Sequence, residues 1–392
     1  MISIREAVQY VKKHSKPLLR EVTKPLEKSG GYVLCKDVIS PIDMPPFRQS
    51  AMDGYALNLH TKLEYDLIGE IKAGDNYHPI LEPGETVRIF TGAAVPKSAN
   101  AVVMQEKVEL TNSKIRIEHH IDQDINIRPQ GEQVKKGSIA LKKGTKLTPA
   151  AIGYLASLGI TEVSVYKKPS ISIVTTGNEL IEAGQPLPYG KIYESNATML
   201  QNALYQLKFY DITFHKIEDD YKKTVEKLQT VINKSDLVIA TGGISVGDYD
   251  FVGKALNELG VKEIFYKVKQ KPGKPLYFGK KDNTLIFALP GNPAAALTCF
   301  YIYTYMALQL MMNREAIELS GAKATSVSSF HKKGDRPQFL KAIFNNGEVE
   351  ILEGQSSSML QTFALSNAIV FMPEDKTQIK IGDILDVILL PV

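Results

Sequence analysis

The sequence predicts a multidomain chain of α/β and β type, with a central α/β domain built on a mostly parallel sheet, a β-rich N-terminal region and a small C-terminal β-domain. Three observations carry this. Residues 63–148 are short β-branched runs broken by Gly, Pro and Asn, the pattern of an all-β module. Residues 170–312 alternate strand and helix patterns, as a parallel sheet covered by helices requires. From about residue 321 the text returns to strands alone. With 392 residues, 44% hydrophobic and 23% charged, the chain is long enough to bury a core in each part.

Taken in order, the first segment places Ile2, Ile4, Val8 and Val11 at near-helical spacing, and Ser3 with Glu6 forms a capping box, so a helix is expected there. This segment lacks the apolar core and small-residue cleavage site of a signal peptide. The proline-rich stretch 41–46 leads into SAMDGYA at 50–56, which places Asp53 in a turn; elementary physics assigns it no role. In the β-rich region 86–90 and 114–118 read as strands. Pro149 suits the first position of a helix that runs through Ala151, Ile152, Leu155 and Ala156 to Leu158, where Gly159 caps it. In the α/β segment the expected strands are 171–175, 211–217, 236–241, 263–268 and 284–289, and the expected helices 196–207, 221–233, 251–259 and 293–312. The last segment has strands at 341–344, 368–372 and 384–390. The domain boundaries follow as 1–168, with an inserted β subdomain at about 48–140, then 169–316, then 320–392.

The net charge of +4 is small for this length, which favours local sites for anionic small ligands over a nucleic-acid surface. Cys35 and Cys299 stand far apart without a pairing pattern, as in a reduced compartment, and the adjacent His119 and His120 would face opposite ways on a strand. The longest apolar stretch, 299–312, is short of a membrane span and contains Thr304 and Gln309. A soluble cytoplasmic protein without membrane or nucleic-acid partners is expected.

Four stretches have residue types suited to anion chemistry. The strand 236–240 runs into TGGISVGDYD at 241–250, where glycines let backbone N–H groups approach an anion and Ser245 adds a hydroxyl. Asp248 and Asp250 beside those glycines would repel a bare phosphate and point to a bridging Mg²⁺; a plain strand-to-helix turn with capping aspartates explains the same residues. KPGKP at 271–275 stiffens a loop that holds Lys271 and Lys274 three residues apart, an oxyanion trap or two solvated lysines in a turn. LPGNP at 289–293 enters a helix with Asn292 as N-cap and Pro293 at the first position. TGNEL at 176–180 ends the first strand of the α/β domain and puts Glu179 where such sheets bind ligands.

It is the ordered combination that is specific. SAMDGYA at 50–56, IFTGAAVP at 89–96 with Glu106, NIRPQGE at 126–132, TGNEL at 176–180, GKIYESN at 190–196, and the stretches 241–250, 271–275 and 289–293 resemble the motif series of the MoeA-type molybdopterin molybdenumtransferases over nearly the whole chain. The resemblance implies a central domain like the MogA molybdopterin-binding fold, an elongated homodimer with its cleft between subunits, and a reaction of adenylyl-molybdopterin with molybdate, aided by Mg²⁺, that yields molybdenum cofactor and AMP. It further implies a molybdate pocket of Ser245, Lys271, Lys274, Pro275, Arg336 in RPQF at 336–339, and the Ser357–Ser358 pair. Glu179, Asp219 and Asp250 match acidic positions that would hold Mg²⁺ and act in catalysis, and Asp53 and Thr91 match residues lining the cleft from the N-terminal half.

This chain departs from the family pattern at three places. Asn178 stands where an acid is usual, Gln133 stands where an acid usually follows Gly-Glu, and Lys341 replaces an arginine, keeping charge but losing the planar fork. Two rivals follow from the same reading. A MogA-like adenylyltransferase, also a candidate partner that would supply the substrate, matches only residues of about 170 to 312. A non-catalytic scaffold of the same fold is disfavoured by intact Lys271, Lys274, Asp250 and Arg336.

Overall fold

The chain folds into two compact units, Met1–Val22 with Tyr166–Val392, and Thr23–Val165. The computed structural model describes residues 1–244, 251–314 and 317–391.

In the larger unit the core is a six-stranded sheet. Its strand order is Ile212–Ile217, Ile171–Thr176, Leu237–Thr241, Thr284–Leu289, Tyr277–Lys281, Lys262–Tyr266. The first four strands are mutually parallel. Three of them, Ile171–Thr176, Leu237–Thr241 and Thr284–Leu289, are buried at every position, as strands covered on both faces must be. The last two are antiparallel. Sequence reading passed over Tyr277–Lys281, because Gly279 and the two lysines break its apolar run. With that strand absent, 263–268 read as one more parallel strand; it is instead the antiparallel edge, Lys262–Tyr266.

Helices Ile4–His14 and Asn196–Gln206, together with Pro293–Cys299 and its continuation, pack on one face around Phe278, Phe287 and Tyr303. Tyr221–Lys234 and Phe251–Glu258 cover the other around Val174, Val238 and Ile286. The expected capping box is present: Ser3 N–H donates to Glu6 Oε2 at 2.7 Å and Glu6 N–H to Ser3 Oγ at 3.2 Å. The apolar stretch judged short at 299–312 belongs to a longer helical run, Pro293–Met311, with a π turn at Phe300–Thr304. Among the described residues it is the one helix long and apolar enough to cross a membrane, and 83% of its apolar window is buried, so it is a core helix.

Strands Gly321–Ser326, Glu348–Ile351, Gln338–Asn345, Ala368–Met372 and Ile384–Leu389 close into a barrel. Leu340, Ala342, Val349, Val370 and Val387 fill it. Side chains alternate along a strand, so Phe339 and Ile369 point outward, and there they join the apolar core of the α/β domain. That shared core fixes the barrel against the carboxyl ends of the sheet.

The smaller unit contains a six-stranded sheet in the order Ala101–Met104, Gly54–Leu57, Glu85–Ile89, Glu64–Ile71, Lys114–Ile117, Val108–Thr111. Its helix Pro149–Ser157 starts as expected, with Pro149 following the N-cap Thr148.

Candidate oxyanion site

The parallel strands reverse order at Ile171–Thr176, which has Ile212–Ile217 on one side and Leu237–Thr241 on the other. Ligands of such sheets bind at the carboxyl ends beside this switch point. Here Thr176, Thr241 and the turn Pro290–Gly291–Asn292 open into a cavity of about 910 Å³. Gly242, at φ +82°, follows Thr241; a Cβ there would lie 2.7 Å from the Thr176 carbonyl oxygen, so only glycine lets the two loops pass.

The far wall comes from the 271–275 loop and the barrel. Lys271, Lys274, Pro275 and Arg336, which sequence analysis grouped, all line the cavity. Their convergence rests on buried polar groups. Lys271 N–H donates to the Pro337 carbonyl at 3.0 Å, and Phe339 N–H to the Lys271 carbonyl at 2.9 Å, so Lys271 forms a single parallel bridge to Gln338 of RPQF. Arg336 Nη1 donates to the Gln270 carbonyl at 3.0 Å. The fully buried Gln270 amide donates to the carbonyls of Pro272 and Gly273 at 3.1 Å each, and its oxygen accepts from the Tyr303 hydroxyl. Cys299 lies beneath this loop; burial pushes its thiol up to about 12, so it packs and is no nucleophile.

The remaining wall is the loop 354–359. Gln355, Ser356 and Ser357 line the cavity, whereas Ser358 does not; its hydroxyl meets that of Ser356 at 3.2 Å. Asn292 is the N-cap by position, but its side chain caps nothing. It donates instead to Ser357 Oγ at 3.0 Å and so joins the helix start to the serine loop. Ala295 N–H donates to the Ser357 carbonyl at 3.1 Å.

Of the expected acids, Glu179 lines the cavity and Asp219 does not. Asp219 Oδ2 accepts from Asn178 N–H at 2.9 Å, and Asn178 Oδ1 accepts from Asp219 N–H at 3.2 Å. Each bond joins a backbone N–H to a side-chain oxygen, so the two residues clasp through groups that an aspartate at 178 would also carry, and this clasp does not account for the departure to asparagine. Ser245, Asp248 and Asp250 lie outside the described residues. Among those described, no three His, Cys, Asp or Glu side chains cluster as a metal site.

Asp53 and Thr91 meet each other in the smaller unit. Gly54 and Ile89 are register partners on antiparallel strands, so the residues just beyond them share one edge. Asp53 Oδ1 accepts from Thr91 N–H and Oγ1, each at 2.7 Å, and the backbone bond holds the carboxyl below its usual range. The turn residue therefore has a structural task that sequence reading did not assign. Asp53 is exposed, so water replaces its bonds when it is removed. Asp53→Ala should leave the melting temperature within a few degrees while lowering turnover; normal turnover in the purified variant would show that the motif serves only this edge.

Sequence reasoning missed His331 and Lys333, which precede the barrel strand Gln338–Asn345, and gave no task to Gln338 or Asn196. No spacing pattern links residues 331–338 to strand ends more than 40 residues away. Asn196 was in a quoted motif but had no task. Its Nδ2 donates to the Gly291 carbonyl at 2.8 Å, while Oδ1 is buried without a hydrogen-bond partner among the described residues, an acceptor left for a ligand N–H or O–H.

Comparison with known proteins bears on the whole chain. Residues 2–159 match the family described as MoeA N-terminal region (domain I and II), residues 172–309 the probable molybdopterin binding domain, and residues 323–390 the MoeA C-terminal region (domain IV). A molybdopterin molybdenumtransferase of Staphylococcus epidermidis is 31% identical over 99% of this chain and 95% of its own. One of Haemophilus influenzae is 33% identical over 91% of each. Among solved structures, a molybdopterin biosynthesis moeA protein from Pyrococcus horikoshii OT3 aligns with a TM-score of 0.84 and 29% identity, covering 99% of this chain and 100% of that one.

Proposed function

The chain belongs to the MoeA family, and from that premise we propose that it is a molybdopterin molybdenumtransferase that inserts molybdate into adenylyl-molybdopterin with release of AMP. One observation supports this reading above the others. Lys271, Lys274 and Arg336, from two separate stretches of chain, face one cavity at the switch point of the sheet, and Ser357 reaches the same cavity. Molybdate is a tetrahedral dianion. It needs convergent cationic and hydroxyl donors, and charge-assisted hydrogen bonds are roughly twice as strong as neutral ones. Lys333, on the same wall, adds a fourth positive charge.

The acids suit a hard cation. Glu179 in the cavity and Asp219 beside the same loop offer oxygen ligands only, which is the donor chemistry of Mg²⁺, and Asp250 would complete the set. When bound, Mg²⁺ offsets charge on the pyrophosphate of the adenylylated substrate. The chain's own residues orient the substrate. Asn196 Oδ1 accepts a donor from it, and the lysines and Arg336 hold the incoming oxyanion. We further propose that the protein acts in the cytoplasm as a homodimer and receives its substrate from a MogA-type adenylyltransferase.

The test is AMP release from adenylyl-molybdopterin by the purified chain, with and without molybdate. Molybdate-dependent release is expected. AMP formation from the adenylylated substrate that ignores molybdate would overturn the reading, and so would adenylylation of molybdopterin by ATP as the only activity. Asp250→Ala should shift the magnesium dependence of release to higher concentration, because an oxygen-rich site loses one ligand of an ion that keeps several waters. An unchanged magnesium titration would make Asp250 a loop residue only.

A further inference from the structure

Lys341, the lysine that departs from the family's usual arginine, lies outside the cavity lining and is 4% exposed. It sits on the outward face of the barrel strand Gln338–Asn345, opposite Ile369 and on the same face as Phe339, where the barrel meets the α/β domain. A buried lysine requires partners, and these are three backbone carbonyls: Gly354 at 2.8 Å, Ser356 at 3.1 Å and Met359 at 3.1 Å. Three N–H donors meet three acceptors, so the ammonium is fully used. Burial alone pushes its pKa down to about 8, with no carboxylate contributing, so at neutral pH the group is mostly charged and keeps all three protons.

The backbone of the same residue binds the same loop. Lys341 N–H donates to Gln355 Oε1, and Gln355 Nε2 donates to the Lys341 carbonyl, both at 2.9 Å. Gln355, Ser356 and Ser357 are the residues through which this loop lines the cavity. With its carbonyls drawn toward one ammonium and the Gln355 amide spent on the Lys341 backbone, the loop is held from behind, and Ser356 and Ser357 are left to face the cavity.

We propose that Lys341 is a positioning residue for the oxyanion pocket: it fastens the loop 354–359 to the barrel strand, and so sets affinity for the tetrahedral oxyanion while leaving the chemical step to other groups. This rests on the molybdate reading above, and two independent measurements keep the two apart. The first is hydrogen exchange on the ligand-free chain. K341M keeps nearly the same volume and removes every donor, so amides of 354–359 should exchange faster while those of strand Gln338–Asn345 stay protected by Leu340 and Ala342 in the barrel core. The second is a molybdate titration of AMP release. K341M should raise half-saturation by about tenfold with the maximal rate within about twofold, and K341R, whose guanidinium donates to the same carbonyls, should recover most of that affinity.

Unchanged exchange in the loop, or an unchanged half-saturation point, overturns the inference. So does loss of protection throughout the barrel, which would make Lys341 a general packing residue. If K341M does not fold, K341Q, which retains two N–H donors, is measured by the same two methods with the same criteria. If the unaltered chain shows no molybdate dependence, the functional reading fails, and the exchange result still decides whether Lys341 holds the loop.

Discussion

Lys274→Ala and Arg336→Ala should each raise the half-saturating molybdate concentration by roughly 10- to 150-fold, the range of about 1.5–3 kcal/mol for one lost charge-assisted contact. The two should not be equal. Lys274 is exposed, so part of its field is already screened by water, and its effect should lie at the low end. Arg336 is half-buried and also donates to the Gln270 carbonyl, so its loss removes a ligand contact and a tie that shapes the 271–275 loop. It should lie at the high end and lower the melting temperature as well. Excess molybdate should restore much of the rate in both variants, since on the proposed reading the lesion lies in oxyanion affinity. It should not rescue Asp250→Ala, whose defect would lie in magnesium binding. Titrating molybdate against AMP release for the three proteins decides the matter; a parental half-saturation point in both Lys274→Ala and Arg336→Ala would make them surface charges.

Gly273→Ala should damage both the stability of the chain and its oxyanion affinity. Gly273 has φ +86°, a region unfavourable to any residue with a Cβ. The added carbon would also lie 2.4 Å from Cys299 Sγ and 2.9 Å from Gln270 Nε2. Both neighbours are fully buried and hydrogen-bonded, so neither yields easily. Backbone strain and overpacking together should cost about 2–4 kcal/mol. The loop would shift and carry Lys271 and Lys274 with it, so oxyanion affinity should fall along with stability. Cys299→Ala in the same chain removes the nearer clash but not the strained φ, and should recover part of the stability loss. Denaturant melts of the single and double variants read this directly. If Gly273→Ala melts like the parent, the packing beneath the loop is loose enough to take a methyl group.

Linear patterns decided the elements and their kinds. The alternation through residues 170–312, the capping box at Ser3 and Glu6, and Pro149 at a helix start were legible because propensity, capping and periodicity act between residues a few positions apart. The ordered motifs likewise carried the family, and with it Lys271, Lys274, Pro275 and Arg336 as residues of one pocket. What acts across distance was not legible. Tyr277–Lys281 forms a strand because Thr284–Leu289 and Lys262–Tyr266 pair with it, which no property of its own five residues reveals. Lys341 reads as a weakened arginine until the 354–359 loop folds over it, and Asn292 reads as a cap until Ser357 arrives from 65 residues away. His331 and Lys333 enter the cavity only because Phe339 and Ile369 seat the barrel against the sheet. The sequence by itself determined which segments become strands and helices and which residue types can bind an oxyanion. The tertiary structure decided which of those residues meet, because burial of shared apolar surface, and no local rule, brings remote stretches of chain to the same cavity.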